Sequence, residues 1–234
     1  IKNRIAHMQI QRDQYLNRLL EDRGNRRIKI VTGVRRCGKS YLLFKLFKDR
    51  LIREGVAEDH IIEIAFDDRK FKDLRDPDEC YRYVTERIDE NDPNPTYVLL
   101  DEVQLMKEFE DVLNGFLHLN NADVFVTGSN SKFLSTDILT QFRGRGDEIR
   151  MYPLTFGEFS SACSGSWDEV WEQYYTFGGL PYILTLSSVA KKAEYLQSLF
   201  EEVYLRDILD RNQIRGDSEF RILIDVISSA IGSL

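Results

Sequence analysis

The sequence is poor in cysteine and proline, with 3 Cys and 5 Pro among 234 residues. Cys37, Cys80 and Cys163 are too few and too scattered for a disulfide framework or a zinc knuckle. We therefore expect reduced thiols in a cytoplasmic protein. No apolar run approaches the ~20 residues of a membrane helix, and we expect neither a membrane anchor nor a signal peptide. The hydrophobic share of 42% is ordinary, which excludes disordered and low-complexity classes.

An excess of positive charge is also lacking. Lys and Arg total 32 against 39 Asp and Glu, so the formal net charge is −7. This balance argues against a generally cationic nucleic-acid binder, although it leaves room for a local basic patch. The three histidines, at positions 7, 60 and 118, show no metal-ligand spacing with one another or with the cysteines. A chain of this length can bury a full core without a metal or disulfide.

Apolar runs and helical patterns alternate along the first two thirds of the chain. The runs predict five strands, at residues 28–32, 61–66, 97–100, 123–127 and 148–152. Strands that alternate with helices are typical of a parallel sheet covered on both faces. The predicted fold class is therefore α/β, with a five-stranded parallel sheet between helices, followed by an all-helical segment.

The domain organisation changes near Pro153, after which helical patterns dominate. We expect residues 1–7 to be a leader foreign to the natural protein, with Met8 as the natural start. Residues 8–153 then form the α/β core, 154–199 a helical, lid-like segment, and 200–234 the start of a truncated helical domain. Five aromatic side chains fall at helical spacing in the lid-like segment, and the spacing predicts a buried helix face rather than a stacking platform: Trp167, Trp171, Tyr174, Tyr175 and Phe177.

The strongest motif fits the phosphate-binding pattern G-x-x-x-x-G-K-[ST] and stands between a predicted strand and a predicted helix. Glycines let backbone N–H groups curl around phosphates, and the helix N-terminus adds its positive dipole end. Lys39 is predicted to reach the β- and γ-phosphates, and the Ser40 hydroxyl to ligate Mg²⁺. Arg35 and Arg36 contact phosphate, a neighbouring subunit or only solvent. The predicted nucleotide-binding set is Gly33, Val34, Arg35, Arg36, Cys37, Gly38, Lys39, Ser40 and Tyr41.

The second motif is an apolar strand that ends in two acids, Asp101 and Glu102. We expect Asp101 to hold Mg²⁺ through water, and Glu102 to orient and deprotonate the attacking water. A glutamate in this place favours water as the acceptor. The pair therefore predicts an ATPase rather than a small-molecule kinase.

Two further catalytic candidates depend on position alone. Ser129 and Asn130 follow the next strand, where a polar side chain can reach the γ-phosphate or the attacking water; an ordinary polar turn is the alternative. Within Arg143-Gly144-Arg145, Arg145 is the candidate for stabilising transition-state charge, in its own site or in a neighbour's. A plain surface arginine is the alternative.

Taken together, these motifs resemble a bacterial and archaeal AAA-type P-loop ATPase family whose members carry a C-terminal domain of unknown function. The resemblance extends from Met8 onward, and its stretches are RDQYL at 12–16, VTGVRRCGKS at 31–40, LLDEVQ at 99–104, VTGSNSK at 126–132, Gly144-Arg145, YPLTFGEF at 152–159, GGLP at 178–181 and LRDIL at 205–209. It implies ATP as the nucleotide and an AAA-type strand order, with the Asp-Glu strand beside the Ser-Asn strand. It also implies a chain cut within that C-terminal domain.

Three functions are compatible with these residues. The first is an Mg²⁺-dependent ATPase that couples nucleotide state to movement of the helical C-terminal part. The second is a slow nucleotide-gated switch, and the third is a signalling or DNA-associated module with negligible turnover. Expected partners are the nucleotide, a second copy of the chain and an unidentified protein; nucleic acid is expected only through the missing C-terminal part, and a membrane is not expected.

Overall fold

The computed structural model describes residues 9–128, 142, 144–201, 209 and 217–230. The chain divides into two compact units, Ile1–Leu186 and Ser187–Leu234. The predicted boundaries at 153/154 and 199/200 stay predictions. In the first unit the strands are β1 Ile28–Thr32, β2 Ile61–Ala65, β3 Thr96–Asp101, β4 Ala122–Thr127 and β5 Gly146–Arg150.

Some helices of the first unit cover the sheet, and others follow its last strand in the chain. Helix α1 is Asp13–Glu21, and α2 runs through three consecutive segments, Lys39–Tyr41, the π-helical Leu42–Phe47 and Lys48–Arg53. The others are α3 Pro77–Thr85, α4 Phe109–Phe116, α5 Phe156–Ser161 and α6 Trp167–Phe177. Short 3-10 turns occupy Glu58–His60, Arg69–Arg75, Val103–Leu105 and Pro181–Thr185. The second unit contains α7 Val189–Leu199 and α8 Asp217–Ala230.

All five strands are parallel, in the order β2-β3-β4-β1-β5. The predicted α/β class is thus confirmed, and the first four strands lie within one residue of their predicted bounds. The last strand begins two residues earlier than expected, because β1 pairs with it along its whole length, from Ile28 opposite Gly146 to Thr32 opposite Arg150. A Cβ on Gly146 would lie 2.9 Å from the Ile30 side chain, so glycine fits this close approach.

Both faces of the sheet are buried, as alternate side chains of each strand point to opposite sides. One face packs Ile28, Ile30 and Leu100 against α3 and α4. The other packs Val31, Leu99 and Phe125 against α1 and α2. Strands β3, β4 and β1 lie in the middle of the sheet, and their parallel course brings their carboxyl ends to one edge.

A buried ion pair lies within the second face. The Lys29 ammonium, with no exposed surface, pairs with Asp123 at the start of β4 and donates to the Arg27 carbonyl at 2.9 Å. Asp123 also accepts from the Gly24 N–H at 3.0 Å. These contacts satisfy two charges that would otherwise be costly to bury.

Two helices follow the sheet, and each begins with a capping box. Thr155 and Glu158 cap α5, while Ser166 and Glu169 cap α6 in the same way. The expected burial of the aromatic face of α6 is wrong. Trp167 is 65% exposed and Tyr175 80% exposed, because Val170 is the residue of this helix that is buried.

Within the described ranges, no helix has the length and apolar character needed to span a bilayer. The helix predicted over residues 133–142 lies outside the described residues except for Phe142.

Candidate nucleotide site

The candidate site lies where the carboxyl ends of β1, β3 and β4 meet at one edge of the sheet. The loop 33–40 leaves β1 and leads into α2, and Asp101 ends β3 beside Thr127, which ends β4. Crevices at this edge are the usual ligand sites of open α/β sheets.

The loop conformation depends on two glycines. Gly33 has φ +142°, and a Cβ there would lie 2.2 Å from the Met151 carbonyl oxygen. Gly38 has φ +104° and stands immediately before α2. Residues that carry a Cβ rarely adopt such φ values, so glycine lets the backbone curve tightly into the helix N-terminus. The resulting concave loop presents N–H groups and the positive end of α2 to an anion.

Lys39 is anchored inside this loop. The residue is 4% exposed, and its ammonium donates to the carbonyl oxygens of Gly33 at 3.0 Å and Val34 at 3.1 Å. The positive charge is therefore held at the centre of the loop rather than in solvent.

Asp101 connects the loop to the neighbouring strands. The residue is 4% exposed, and its carboxylate accepts hydrogen bonds from the hydroxyls of Ser40 and Thr127. Burial raises the pKa of Asp101, and these two hydrogen bonds oppose the rise; the charges of Glu102 and Asp67 raise it further. The two residues predicted from separate motifs to hold one metal ion are thus in direct contact.

Glu102 follows Asp101 in a left-handed conformation, with φ +53° and ψ +44°. Its backbone N–H donates to the Thr127 hydroxyl at 3.2 Å, so one hydroxyl contacts both acidic residues. Its carboxylate accepts a hydrogen bond from the side-chain amide of Gln104, in the 3-10 turn after the strand. A left-handed glutamate stores backbone strain that these contacts maintain.

A mainly apolar cavity of about 360 Å³ adjoins the loop. Cys37, Gly38 and Tyr41 line it from the loop side. Across from them, the lining comes from the residues just before α1 and from the segment after β5: Ile10, Arg12, Met151, Leu154, Ala162, Pro181, Leu184 and Thr185. The site therefore continues from a polar, anion-attracting loop into an apolar chamber.

Arg12 joins the walls of this cavity. The residue is 3% exposed, and its guanidinium donates to the Tyr152 carbonyl at 2.6 Å and pairs with Glu158 on α5 at 3.1 Å. Burial also raises the pKa of the Cys37 thiol, against the opposing charges of Lys39 and Arg12. A group in the cavity would touch both the loop and the helical segment after β5.

The structure separates Arg145 from this edge. Arg145 directly precedes β5, its guanidinium donates to Asn114 on α4 at 3.2 Å, and its carbonyl accepts from the Ile28 N–H at 2.9 Å. It thus lies where β1 begins, and the loop lies where β1 ends, roughly 16 Å away at 3.3 Å per residue. Ser129, Asn130 and Arg143 lie outside the described residues.

Thr127 and Gln104 contact the acidic pair, and motif analysis did not single them out. Thr127 lies in the same VTGSN stretch as Ser129 and Asn130, but inside the strand rather than beyond its tip. The alternation of β4 and its pairing with β3 decide that Thr127 faces Asp101. Gln104 could have been found from its distance of two residues from Glu102, which a 3-10 turn brings into contact.

The chain also matches known proteins. Residues 25–160 match the AAA domain family. An uncharacterized protein of Haemophilus influenzae is 29% identical over 230 residues, covering 96% of this chain and 57% of the relative. An uncharacterized protein of Methanocaldococcus jannaschii is 28% identical over 217 residues, covering 86% of this chain and 46% of the relative. The chain thus spans about half the length of the curated relatives it matches.

A solved structure shares the fold. The Walker-type ATPase of Pyrococcus abyssi superposes with a TM-score of 0.52 at 17% identity, covering 96% of this chain and 77% of that one.

Proposed function

The chain belongs to the AAA domain family, and from this premise we propose that it binds ATP with Mg²⁺ and hydrolyses the nucleotide to ADP and phosphate. The observation that carries the proposal is the contact between the Ser40 hydroxyl and the Asp101 carboxylate beside Lys39. A hydroxyl and a carboxylate are the hard oxygen donors that Mg²⁺ prefers when phosphates and water complete its shell.

The residues present fit this cofactor pair. Among the described residues, no group of three or more His, Cys, Asp or Glu side chains forms a metal cluster of its own. An ion here would thus depend on bound phosphate, as is usual for Mg²⁺ in nucleotide sites. The ion would neutralise charge that develops on the phosphate oxygens.

In the proposed reaction, the chain's own residues position and deprotonate. Loop N–H groups and Lys39 hold the phosphates, and Glu102 accepts a proton from the attacking water. Thr127 fixes the backbone of Glu102, and the Gln104 amide orients its carboxylate. Ser129 and Asn130 keep their proposed role near the γ-phosphate.

The cavity beside the loop supports a purine base as the remaining part of the ligand. Its volume and apolar lining suit a flat aromatic group. The segment after β5 also lines the cavity, so a bound base would contact the end of α5 and the 3-10 turn at 181–185. This contact supports coupling to the helical part. We expect Leu184→Asp to weaken ATP binding but leave inorganic triphosphate binding unchanged; an equal loss of both would place the base elsewhere.

Single-turnover hydrolysis of ATP with Mg²⁺ tests the proposal. We expect Glu102→Gln to lower the rate by about 100-fold or more while ATP affinity stays within a few-fold of the wild type. Glu108→Gln is the matched control, because Glu108 is also a left-handed glutamate before a helix, yet exposed. Equal rates in the wild type and Glu102→Gln would remove Glu102 as the base.

A slow nucleotide-gated switch is the second candidate, and the contact between Gln104 and Glu102 favours it. The Gln104 amide occupies the Oε2 atom of Glu102, so it competes with the attacking water for that carboxylate oxygen. Tight ATP binding with negligible turnover, relieved in Gln104→Ala, would establish the switch. If the wild type turns over as fast as Gln104→Ala, or faster, the ATPase is favoured.

Arg145 lies at the opposite end of β1 from the loop, so a catalytic role for it requires the site of a second copy, and we propose a homo-oligomer on this basis. In that arrangement Arg145→Ala abolishes turnover, and mixing it with Glu102→Gln subunits restores part of it. No recovery on mixing would contradict a role between subunits. An unidentified protein partner, and nucleic acid through the rest of a longer protein, remain proposals, as does a cytoplasmic location, which three unbridged cysteines support.

A further inference from the structure

Helix α6 exposes a row of aromatic rings that the nucleotide site does not use. Trp167, Trp171 and Tyr175 recur every four residues and are 65%, 42% and 80% exposed. A spacing of four keeps side chains on one helix face. Large aromatic side chains on a surface commonly mark a contact with another molecule when they are contiguous.

The rings are held in place before any partner arrives. The indoles of Trp167 and Trp171 stack with centroids 5.7 Å apart and an interplanar angle of 12°. The ring of Phe156 on α5 packs nearly perpendicular to both indoles, with centroids 5.7 Å and 5.0 Å away. The capping box of Ser166 and Glu169 fixes the first turn. A preordered surface loses little conformational freedom on binding.

The charged residues of helix α6 are all acidic. Residues 151–190 contain no Lys, Arg or His, but four acids. Two of these, Glu158 and Glu169, cap helices. The other two, Asp168 and Glu172, are exposed on α6 and follow Trp167 and Trp171 directly. Among the described residues, no Lys or Arg forms an ion pair with either of them.

We propose that this aromatic-acidic face, defined as Trp167, Asp168, Trp171, Glu172 and Tyr175, docks a basic segment of a protein partner. Lys or Arg side chains bind over indole faces through cation–π attraction and pair with the adjacent carboxylates. Three other occupants fit less well. Nucleic acid brings phosphates against the carboxylates, a purely apolar partner buries them unpaired, and a two-fold contact with a second copy sets acid against acid.

Tryptophan fluorescence measures this docking selectively, because Trp167 and Trp171 are the two tryptophans of the chain. The probe is a synthetic 12-residue peptide of alternating Arg and Ala, titrated into the full chain without nucleotide. We expect a saturable change in emission that weakens with salt. The same peptide with citrulline in place of Arg keeps the shape and loses the charge, so we expect no binding.

Charge-neutral variants separate a specific surface from general attraction to an acidic protein. We expect Asp168→Asn with Glu172→Gln to weaken the peptide at least tenfold. Glu58→Gln with Asp59→Asn is the matched control, removing the same charge from two exposed acids in a 3-10 turn, and affinity should stay within twofold. Circular dichroism and thermal melting verify that both double variants fold.

Three outcomes overturn the proposal. Equal weakening in the two double variants would reduce the effect to net charge, and binding of the citrulline peptide would remove the role of cations. Emission that shifts with protein concentration alone would make a second copy the occupant. None of these outcomes depends on ATP hydrolysis, so they leave the proposed function untouched.

Discussion

At the scale of single residues, two glycines are required by carbonyl oxygens that approach them closely. A Cβ at Gly33 would lie 2.2 Å from the Met151 oxygen, and one at Gly179 would lie 2.1 Å from the Leu154 oxygen. Leu154 also donates its N–H to the Gly179 carbonyl at 2.7 Å. These contacts join the loop and the 3-10 turn at 181–185 to the segment that follows β5.

We predict that Gly179→Ala lowers the free energy of unfolding by at least about 2 kcal/mol, because backbone must move to admit the methyl group. Gly157→Ala is the control. Its Cβ would meet only the Thr155 hydroxyl at 4.0 Å within α5, so we expect a change of less than about 1 kcal/mol. Urea denaturation measures both, and equal effects would contradict the close approach.

The cysteines differ in burial, and their reactivity should follow. Burial raises the pKa of Cys80 from 9.0 to about 12 and that of Cys37 in the same direction, while Cys163 is partly exposed. A higher pKa means less thiolate at a given pH, by about tenfold per unit. We predict that iodoacetamide at pH 8 labels Cys163 first in the folded chain, with Cys37 and Cys80 labelled far more slowly. Mass spectrometry of the labelled cysteines tests this; equal labelling of Cys80 would contradict it.

At the scale of elements, the pairing of β1 with β4 depends on a buried ion pair. We predict that Asp123→Asn, which keeps the shape and leaves Lys29 unpaired, costs about 3–5 kcal/mol of unfolding free energy. Replacing both partners, by Lys29→Met with Asp123→Leu, should recover most of the loss.

The exposed pair Lys45–Asp49 on α2, at 3.2 Å, provides the control. Asp49→Asn should cost no more than about 0.5 kcal/mol, because solvent screens this pair. Denaturant midpoints give both values. A small loss in Asp123→Asn would mean that Lys29 finds another partner.

At the scale of the whole molecule, ligand binding and stability are linked. A ligand that binds only the folded chain at 100 times its Kd adds about 2.7 kcal/mol of stability. We predict that ATP with Mg²⁺ at this ratio raises the melting temperature of Glu102→Gln by roughly 5–10 °C. Adding Lys39→Ala should abolish the shift, measured from that variant's own unliganded melting temperature. A shift that survives Lys39→Ala would place the nucleotide elsewhere.

The sequence by itself determined the features that depend on local patterns. Short apolar runs gave four strands within a residue of their true bounds, because burial on both faces demands continuous apolar residues. The spacing around Lys39 and the acids after β3 predicted where the candidate site lies, since loop curvature and strand ends are set by neighbours in the chain. The fifth strand begins two residues earlier than predicted. Gly146 and Asp147 are not apolar, so the sequence pattern did not include them, and they belong to the strand because they pair with β1.

Tertiary structure decided what depends on distant neighbours. Strand pairing brought Ser40 to Asp101 and set Thr127 beside both acids, and the parallel course of β5 carried Arg145 to the opposite edge of the sheet. Helical spacing alone predicted a buried aromatic face, yet only packing could show that Val170 fills the core and leaves Trp167 and Tyr175 outside. Periodicity defines a face of a helix, but the elements packed against it determine which face is covered.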